Sequence, residues 1–163
     1  MTEPHRDDLA RRQAALVAAL LGGGDAPAGF DEGRVRTASA ALRAKRAHAI
    51  ANAWPRLARA LGPDLAPAVE RHVRQLPSAP ASGPLGDGRE LARMLAAEGR
   101  LPWEGRLELL AADLRHRWPA DGRRRPRRAA VAAAWRRAPA ALVVAVRLPV
   151  LGERWLRLPL TSG

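Results

Sequence analysis

The chain has 163 residues and no cysteine, with a formal net charge of +12. This length is enough for one domain with its own hydrophobic core, and the lack of cysteine excludes disulfides, zinc fingers, iron–sulfur clusters and thiol nucleophiles. Lys45 is the only lysine among the 28 basic residues. An arginine excess of this size favours an anionic partner, although an Ala-, Arg-, Gly- and Pro-rich composition is also typical of a high-GC genome.

The N-terminal part predicts four helices that are separated by Gly and Pro breaks. The first covers residues 7–21. The second follows Asp31, a suitable N-cap, and runs to residue 53. A short third helix ends at Gly62, and Pro63 and Asp64 open the fourth. The predicted buried stripes are Val35, Leu42, Ala49 and Ala53 in the second helix, and Leu65, Val69, Val73 and Leu76 in the fourth.

Two further helices are predicted before residue 118. After a loop over residues 77–84, Asp87-Gly-Arg-Glu90 resembles a capping box and predicts the start of the fifth helix, which ends at Gly99. Pro102 opens the sixth helix, whose apolar residues are spaced by four and three. That stripe is Trp103, Leu107, Leu110, Leu114 and Trp118. Residues 1–118 are therefore expected to form a bundle of about six helices.

The pattern changes after this helical region. Residues 119–128 are polar, turn-rich and basic, and they predict a linker. Beyond it, apolar residues alternate with a period of two, with turns at 138–139 and 149–153. This pattern predicts a small antiparallel β meander over residues 129–163, in an otherwise mainly α protein. Because residues 129–135 are rich in alanine, a helix there is the alternative.

The basic residues are distributed unevenly. Residues 119–163 carry 10 basic and 2 acidic side chains, whereas residues 1–118 carry 18 and 14. Arginine binds carboxylates and phosphates through paired hydrogen bonds, and an extended peptide can add to a free sheet edge. The alternative for the run over residues 123–128 is a solvated linker. The predicted partner-binding residues are Arg123, Arg124, Arg125, Arg127, Arg128, Arg147, Arg154 and Arg157.

The sequence contains no pattern that is typical of a catalytic or metal site. No two histidines have the spacing of metal ligands, and no serine lies in a nucleophile elbow. Gly22–Gly24 is not followed by the Gly-Lys-Ser/Thr of a phosphate-binding loop. We therefore expect a binding protein without catalytic residues, cofactor or metal. No signal sequence or membrane span is evident, so we expect it in the cytoplasm.

An ordered series of short motifs carries a family resemblance. Arg12-Gln13 opens an Ala/Leu helix and is followed by Leu20-Leu21-Gly22. Further along are Gly29-Phe30, Leu42-Arg43-Ala44-Lys45-Arg46, Trp54-Pro55-Arg56-Leu57, Leu61-Gly62-Pro63, Pro77 and Leu91-Ala92-Arg93-Met94-Leu95. With these motifs, residues 13–110 resemble a bacterial helical domain that carries a DNA-binding label. It occurs in partner proteins of multinuclear non-haem iron-dependent oxidative enzymes, or fused to such enzymes, which modify ribosomal peptides as in methanobactin maturation.

The resemblance implies a partner protein in ribosomal-peptide modification. It implies binding to the iron enzyme, to the precursor peptide or to both, with the C-terminal meander as the peptide-recognising region. The alternative is a basic, transcription-associated nucleic-acid-binding protein. Its candidate residues are Arg43, Lys45 and Arg46 on the second helix.

Overall fold

The structure is a computed structural model that describes residues 3–22, 25–76, 78–136 and 140–159. Its helices are α1 (Glu3–Gly22), α2 (Glu32–Ala53), α3 (Pro55–Leu61), α4 (Leu65–Gln75), α5 (Gly83–Ala97) and α6 (Trp103–Arg115), with a 3₁₀ turn at Gly62–Asp64. Its strands are β1 (His116–Arg117), β2 (Arg125–Pro126), β3 (Ala130–Arg136), β4 (Ala141–Leu148) and β5 (Gly152–Pro159). The prediction of a mainly α fold with a small C-terminal antiparallel sheet is confirmed. Pro77, the turn at 138–139 and Leu160 lie outside the described residues.

The chain divides into two compact units, and each of them is discontinuous in sequence. One unit contains residues 1–49 and 63–79, and the other contains residues 50–62 and 80–163. The C-terminal sheet therefore belongs to the same unit as α3, α5 and α6. No helix within the described ranges is long and apolar enough to cross a bilayer.

The first unit is built from α1, most of α2 and α4. Asp31 acts as the predicted N-cap, because its carboxylate accepts a hydrogen bond of 2.8 Å from the backbone N–H of Arg34. Val35 is buried as predicted, but Leu42 is 42 % exposed, so that part of the predicted α2 stripe is wrong. Ser39 is buried instead, and its hydroxyl donates a 2.9 Å hydrogen bond to the Leu20 carbonyl.

The second unit is organised around Trp54, which is fully buried. Its indole Nε1 donates a hydrogen bond of 3.0 Å to the Leu85 carbonyl, and Gly88 of α5 lies directly against the ring. Glu108 of α6 accepts hydrogen bonds from the first backbone N–H groups of α3, with 2.7 Å to that of Leu57. The described core of this unit also contains Leu91, Leu95 and Leu114.

The predicted start of the fifth helix is wrong. Helix α5 begins at Gly83, with Pro84 in its first turn, so Asp87 is not an N-cap. Asp87 lies one turn into the helix and is only 2 % exposed. A proline in the first turn costs no helical hydrogen bond, and this allows the helix to start within the predicted loop.

Strands β3, β4 and β5 form an antiparallel sheet in that order, and α6 contacts β3 and β4. Residues 130–136 are therefore a strand, which decides against the helical alternative. The buried face carries small side chains: Ala134 pairs with Val143 in register, and Ala145 is fully buried. The larger set on β4, which includes Leu142, Val144 and Val146, lies on the opposite face.

Candidate functional site

The sheet face that points away from α6 is apolar and largely uncovered. Val131 is 71 %, Trp135 is 63 % and Leu156 is 58 % exposed. The register places Val131 opposite Val146 on β4, and Val144 opposite Leu156 on β5. An exposed apolar area that continues across three strands is typical of an interaction surface.

Both outer strands of this sheet have a free edge within the described residues, because β4 is the central strand. The free side of an edge strand presents unpaired backbone N–H and C=O groups. Along β5, residues 154–159 are exposed on both faces. Along β3, the inner face lies against α6.

One ion-pair cluster joins α6 to the sheet. Arg115 donates two hydrogen bonds, of 2.6 and 2.8 Å, to the Glu153 carboxylate, and Arg147 donates a third of 3.0 Å. The hydrogen bonds and charge of Arg115 hold the pKa of Glu153 below its usual value, although burial opposes this. The same pairing raises the pKa of Arg115. Arg147, a predicted partner-binding residue, is thus engaged inside the protein.

The basic segment over residues 119–128 is folded back on the end of α6. His116 and Arg117 pair with residues 126 and 125. Arg127 donates from its side chain to the His116 carbonyl at 3.1 Å, and its own carbonyl accepts a 3.1 Å hydrogen bond from Arg147. Arg125 pairs with Asp121 at 3.1 Å. These hydrogen bonds attach the segment to the second unit.

The predicted partner-binding arginines therefore fall into two groups. Arg125, Arg127 and Arg147 make the internal contacts described above. The other side chains are exposed, and within the described residues no hydrogen bond or ion pair holds them. That group is Arg123, Arg124, Arg128, Arg154 and Arg157.

The three helical candidates differ among themselves. Arg43 is half-buried and donates a 2.6 Å hydrogen bond to the Ser39 hydroxyl. Arg46 is half-buried and also has an interaction partner, whereas Lys45 is exposed. Of these three candidates, Lys45 is thus the only one that is fully available at the α2 surface.

Among the described residues, no group of three or more His, Asp or Glu side chains could hold a metal ion. His116 lies beside Trp118, with 5.7 Å between the ring centroids. Burial lowers the pKa of His116, and the nearby positive charge of Arg124 adds to this effect.

Sequence reasoning missed a groove between α6 and β3. It has a volume of about 370 Å³. Its strand side is formed by residues 133–135, and its helix side by Arg106, Leu109, Leu110 and Asp113. Arg106, Leu109, Leu110 and Asp113 follow each other at sequence intervals of three, one and three residues, which places them on one face of α6. This spacing is the only sign of the groove in the sequence.

The fold and this surface define a mainly helical protein with a basic, free-edged sheet at its C-terminal end. Residues 10–97, which span α5 and most of the helices before it, match the family described as SCO6045-like, C-terminal domain, and the chain belongs to that family. A UPF0276 protein of Streptomyces avermitilis is 36 % identical over 99 residues, which are 60 % of this chain and 20 % of that protein. The chain thus spans one fifth of the length of this relative. No solved structure matches the chain.

Proposed function

We propose that the protein is a non-catalytic, cytoplasmic adaptor that binds an iron-dependent peptide-modifying enzyme, the peptide substrate of that enzyme, or both. The observation that carries the proposal is the C-terminal sheet, which combines free edges, an uncovered apolar face and arginines that form no ion pair with any described carboxylate. An extended acidic peptide fits all three of these features. A folded core that uses its sheet only for stability would be expected to cover this face.

The enzyme half of the proposal rests on the helical region. The relative in Streptomyces carries the matching segment within a much longer chain. A domain that is joined to another protein in one organism can associate with a separate partner in another. Among the described residues of the helical region, the exposed large apolar side chains are those of Leu9, Val17, Phe30 and Leu42, and they could form such a contact.

The adaptor would act by raising local concentration. If the helices dock on the enzyme while the sheet holds the peptide, the peptide meets the catalytic iron in an effectively intramolecular step. The iron chemistry then belongs to the enzyme, and this chain supplies binding and orientation. Main-chain hydrogen bonds would hold the peptide backbone, and exposed arginines such as Arg128 would pair with its carboxylates.

The test uses the purified iron enzyme and its precursor peptide with the full chain, because removing the sheet would uncover the α6 surface on which it lies. Trp135→Ser should weaken peptide capture and leave enzyme binding unchanged. Val17→Ser is its matched exposed variant on α1, and it should weaken only enzyme binding. If the wild-type chain binds neither protein, the adaptor proposal is wrong.

A nucleic-acid-binding role is the second candidate, and the net charge of +12 and the exposed arginine run favour it. Duplex DNA titrated at several salt concentrations distinguishes the two functions. A nucleic-acid-binding protein should show a steep fall of affinity with salt, because each phosphate contact releases counterions. Replacing Lys45 and Arg128 by Gln should then reduce that slope. Binding at physiological salt without the iron enzyme or peptide would favour this second role.

A further inference from the structure

The free edge of β3 and the surface of α6 together form a site that the edge of β5 does not offer. At the β3 edge, unpaired backbone groups lie beside a groove that has a wall on α6. At the β5 edge, residues 154–159 are exposed on both faces. A strand that adds to β3 would therefore bury one row of its side chains, whereas a strand on β5 would leave both rows largely in water.

The lining of the groove indicates which side chains it accepts. Leu109 and Leu110 on the helix, with Ala133 and Ala134 on the strand, make most of it apolar. Its volume of about 370 Å³ is enough for small apolar side chains and is near the lower limit of ligand pockets. Trp135 stands at the strand side and is 63 % exposed, so a bound segment could cover its ring.

The charged side chains around the groove determine which ligand charge it favours. Within the described residues Asp113 is the carboxylate that lines it, and Arg89 donates to Asp113 at 2.6 Å. Arg89 also pairs with Glu90 at 2.9 Å, and Glu90 pairs with Arg93 at 3.8 Å, so that two arginines balance these two carboxylates. Arg106 lines the groove, is exposed and has no ion pair within the described residues, and Arg128 is exposed just before β3. The uncompensated charge is therefore positive.

We infer that the peptide of the proposed function binds in the groove between β3 and α6. It binds as an extended acidic segment with small or apolar side chains at alternate positions. This inference rests on the proposed peptide binding and goes beyond it by assigning the edge, the groove and the ligand class. The row of small or apolar side chains enters the groove beside Leu110. The acidic row lies beside Trp135 on the outer face, and one of its carboxylates pairs with the exposed side chain of Arg106.

The probe is a capped synthetic peptide with the seven-residue length of β3, in which valine alternates with glutamate. Binding to the full chain is measured by calorimetry, and the same peptide with lysine in place of glutamate is the charge control. We expect the lysine peptide to bind at least about tenfold more weakly, because like charges then meet at the groove. Equal binding of the two peptides would contradict the inferred ligand class.

Matched substitutions distinguish binding at the β3 edge from binding at the β5 edge. Arg106→Gln should weaken binding about fivefold, as for an exposed ion pair. Arg157→Gln should leave binding unchanged, because Arg157, although it was a predicted partner-binding residue, lies on β5 outside the groove. Trp135→Ala should weaken binding about tenfold, as for an aromatic anchor, whereas Trp155→Ala should not. Arg106, Arg157 and Trp135 are exposed, so their variants should keep the unfolding transition of the wild type. Trp155 is only 40 % exposed and pairs with the buried Ala145, so binding of its variant is measured under conditions in which urea unfolding shows that it is folded.

Amide hydrogen exchange shows independently at which strand the peptide binds. Bound peptide should slow exchange along β3 and leave the exchange of β5 amides unchanged. Slower exchange along β5, or a larger effect of Trp155→Ala than of Trp135→Ala, would overturn the assignment to the groove while peptide binding itself stands. If the glutamate peptide does not bind even at low salt, the groove inference is wrong. Binding of the iron enzyme, measured separately, then decides the enzyme half of the proposed function.

Discussion

Removing the charge of Glu153 tests the attachment of the sheet to α6. Glu153→Gln replaces a carboxylate that accepts hydrogen bonds of 2.6, 2.8 and 3.0 Å from Arg115 and Arg147. Hydrogen bonds to charged groups contribute about 1.5–3 kcal/mol each. Here the Arg115 side chain is 52 % exposed and that of Arg147 is 33 % exposed, so water screens the pairs. We therefore expect a loss of about 2 kcal/mol in total.

The pH dependence of this loss follows from the lowered pKa of Glu153. A carboxylate whose pKa is lower in the folded state stabilises the protein fully above its unfolded pKa of about 4.3. That contribution disappears as the pH falls through the folded pKa, where the carboxylate becomes protonated. The difference between wild type and variant should thus be constant from about pH 7 to about pH 5 and should shrink at lower pH.

The assay is urea unfolding followed by tryptophan fluorescence at several pH values. Arg154→Gln, on the same strand and without an ion pair within the described residues, is the control. It should change the unfolding free energy by no more than about 0.5 kcal/mol. A Glu153→Gln variant as stable as the wild type at pH 7, or a difference that does not change at acidic pH, would refute the reasoning.

Four further predictions concern the same unit. Gly88→Ala should destabilise by about 2 kcal/mol in urea unfolding, because its Cβ would lie 2.8 Å from Cγ of the fully buried Trp54; unchanged stability would show that the ring can shift. Because the pKa of His116 is lowered in the folded state, the unfolded chain binds the proton of this histidine at a higher pH than the folded chain does. The free energy of unfolding should therefore fall as the pH drops below about 6.5. In His116→Gln this slope should be smaller, and an identical slope would argue against the burial of the imidazole. Arg127→Gln should cost about 1 kcal/mol through its lost hydrogen bond, and a neutral result would contradict that contact. Replacing Arg123, Arg124 and Arg128 together by Gln should leave the melting temperature unchanged but weaken the binding of an anionic partner, most clearly at low salt. A large fall in melting temperature would show that these arginines support folding more than binding.

Much of the secondary structure could be read from local chemistry. Asp31 predicts the start of α2 because an N-cap needs only a side-chain oxygen and the next turn of backbone. The change of period after residue 128 predicts the strands because a strand alternates its side chains whatever lies against it. The start of α5 could not be read in this way. Asp87 has the local pattern of a cap, and only its burial inside the helix shows that the chain enters α5 earlier.

The sequence period also leaves open which face of a sheet is buried. By size alone, Leu142, Val144 and Val146 would be expected inside. The structure buries the row that contains Ala134 and Ala145 instead, and these small side chains allow α6 to lie close to the strands. The larger side chains remain on the outer face, where they form the uncovered apolar surface. This choice depends on the shape of the neighbouring helix, which lies in another part of the sequence.

From the sequence alone, the eight arginines proposed for partner binding are equivalent. Tertiary structure separates them, because the acceptors that occupy Arg127 and Arg147 come from other segments: the carbonyl of His116 and the carboxylate of Glu153. It also creates the groove, since Arg106 and Trp135 meet there only when α6 lies against β3. Local sequence determined the helices, the strands and the excess of positive charge. Which charges remain free, and which edge has a wall beside it, is decided by contacts between distant residues.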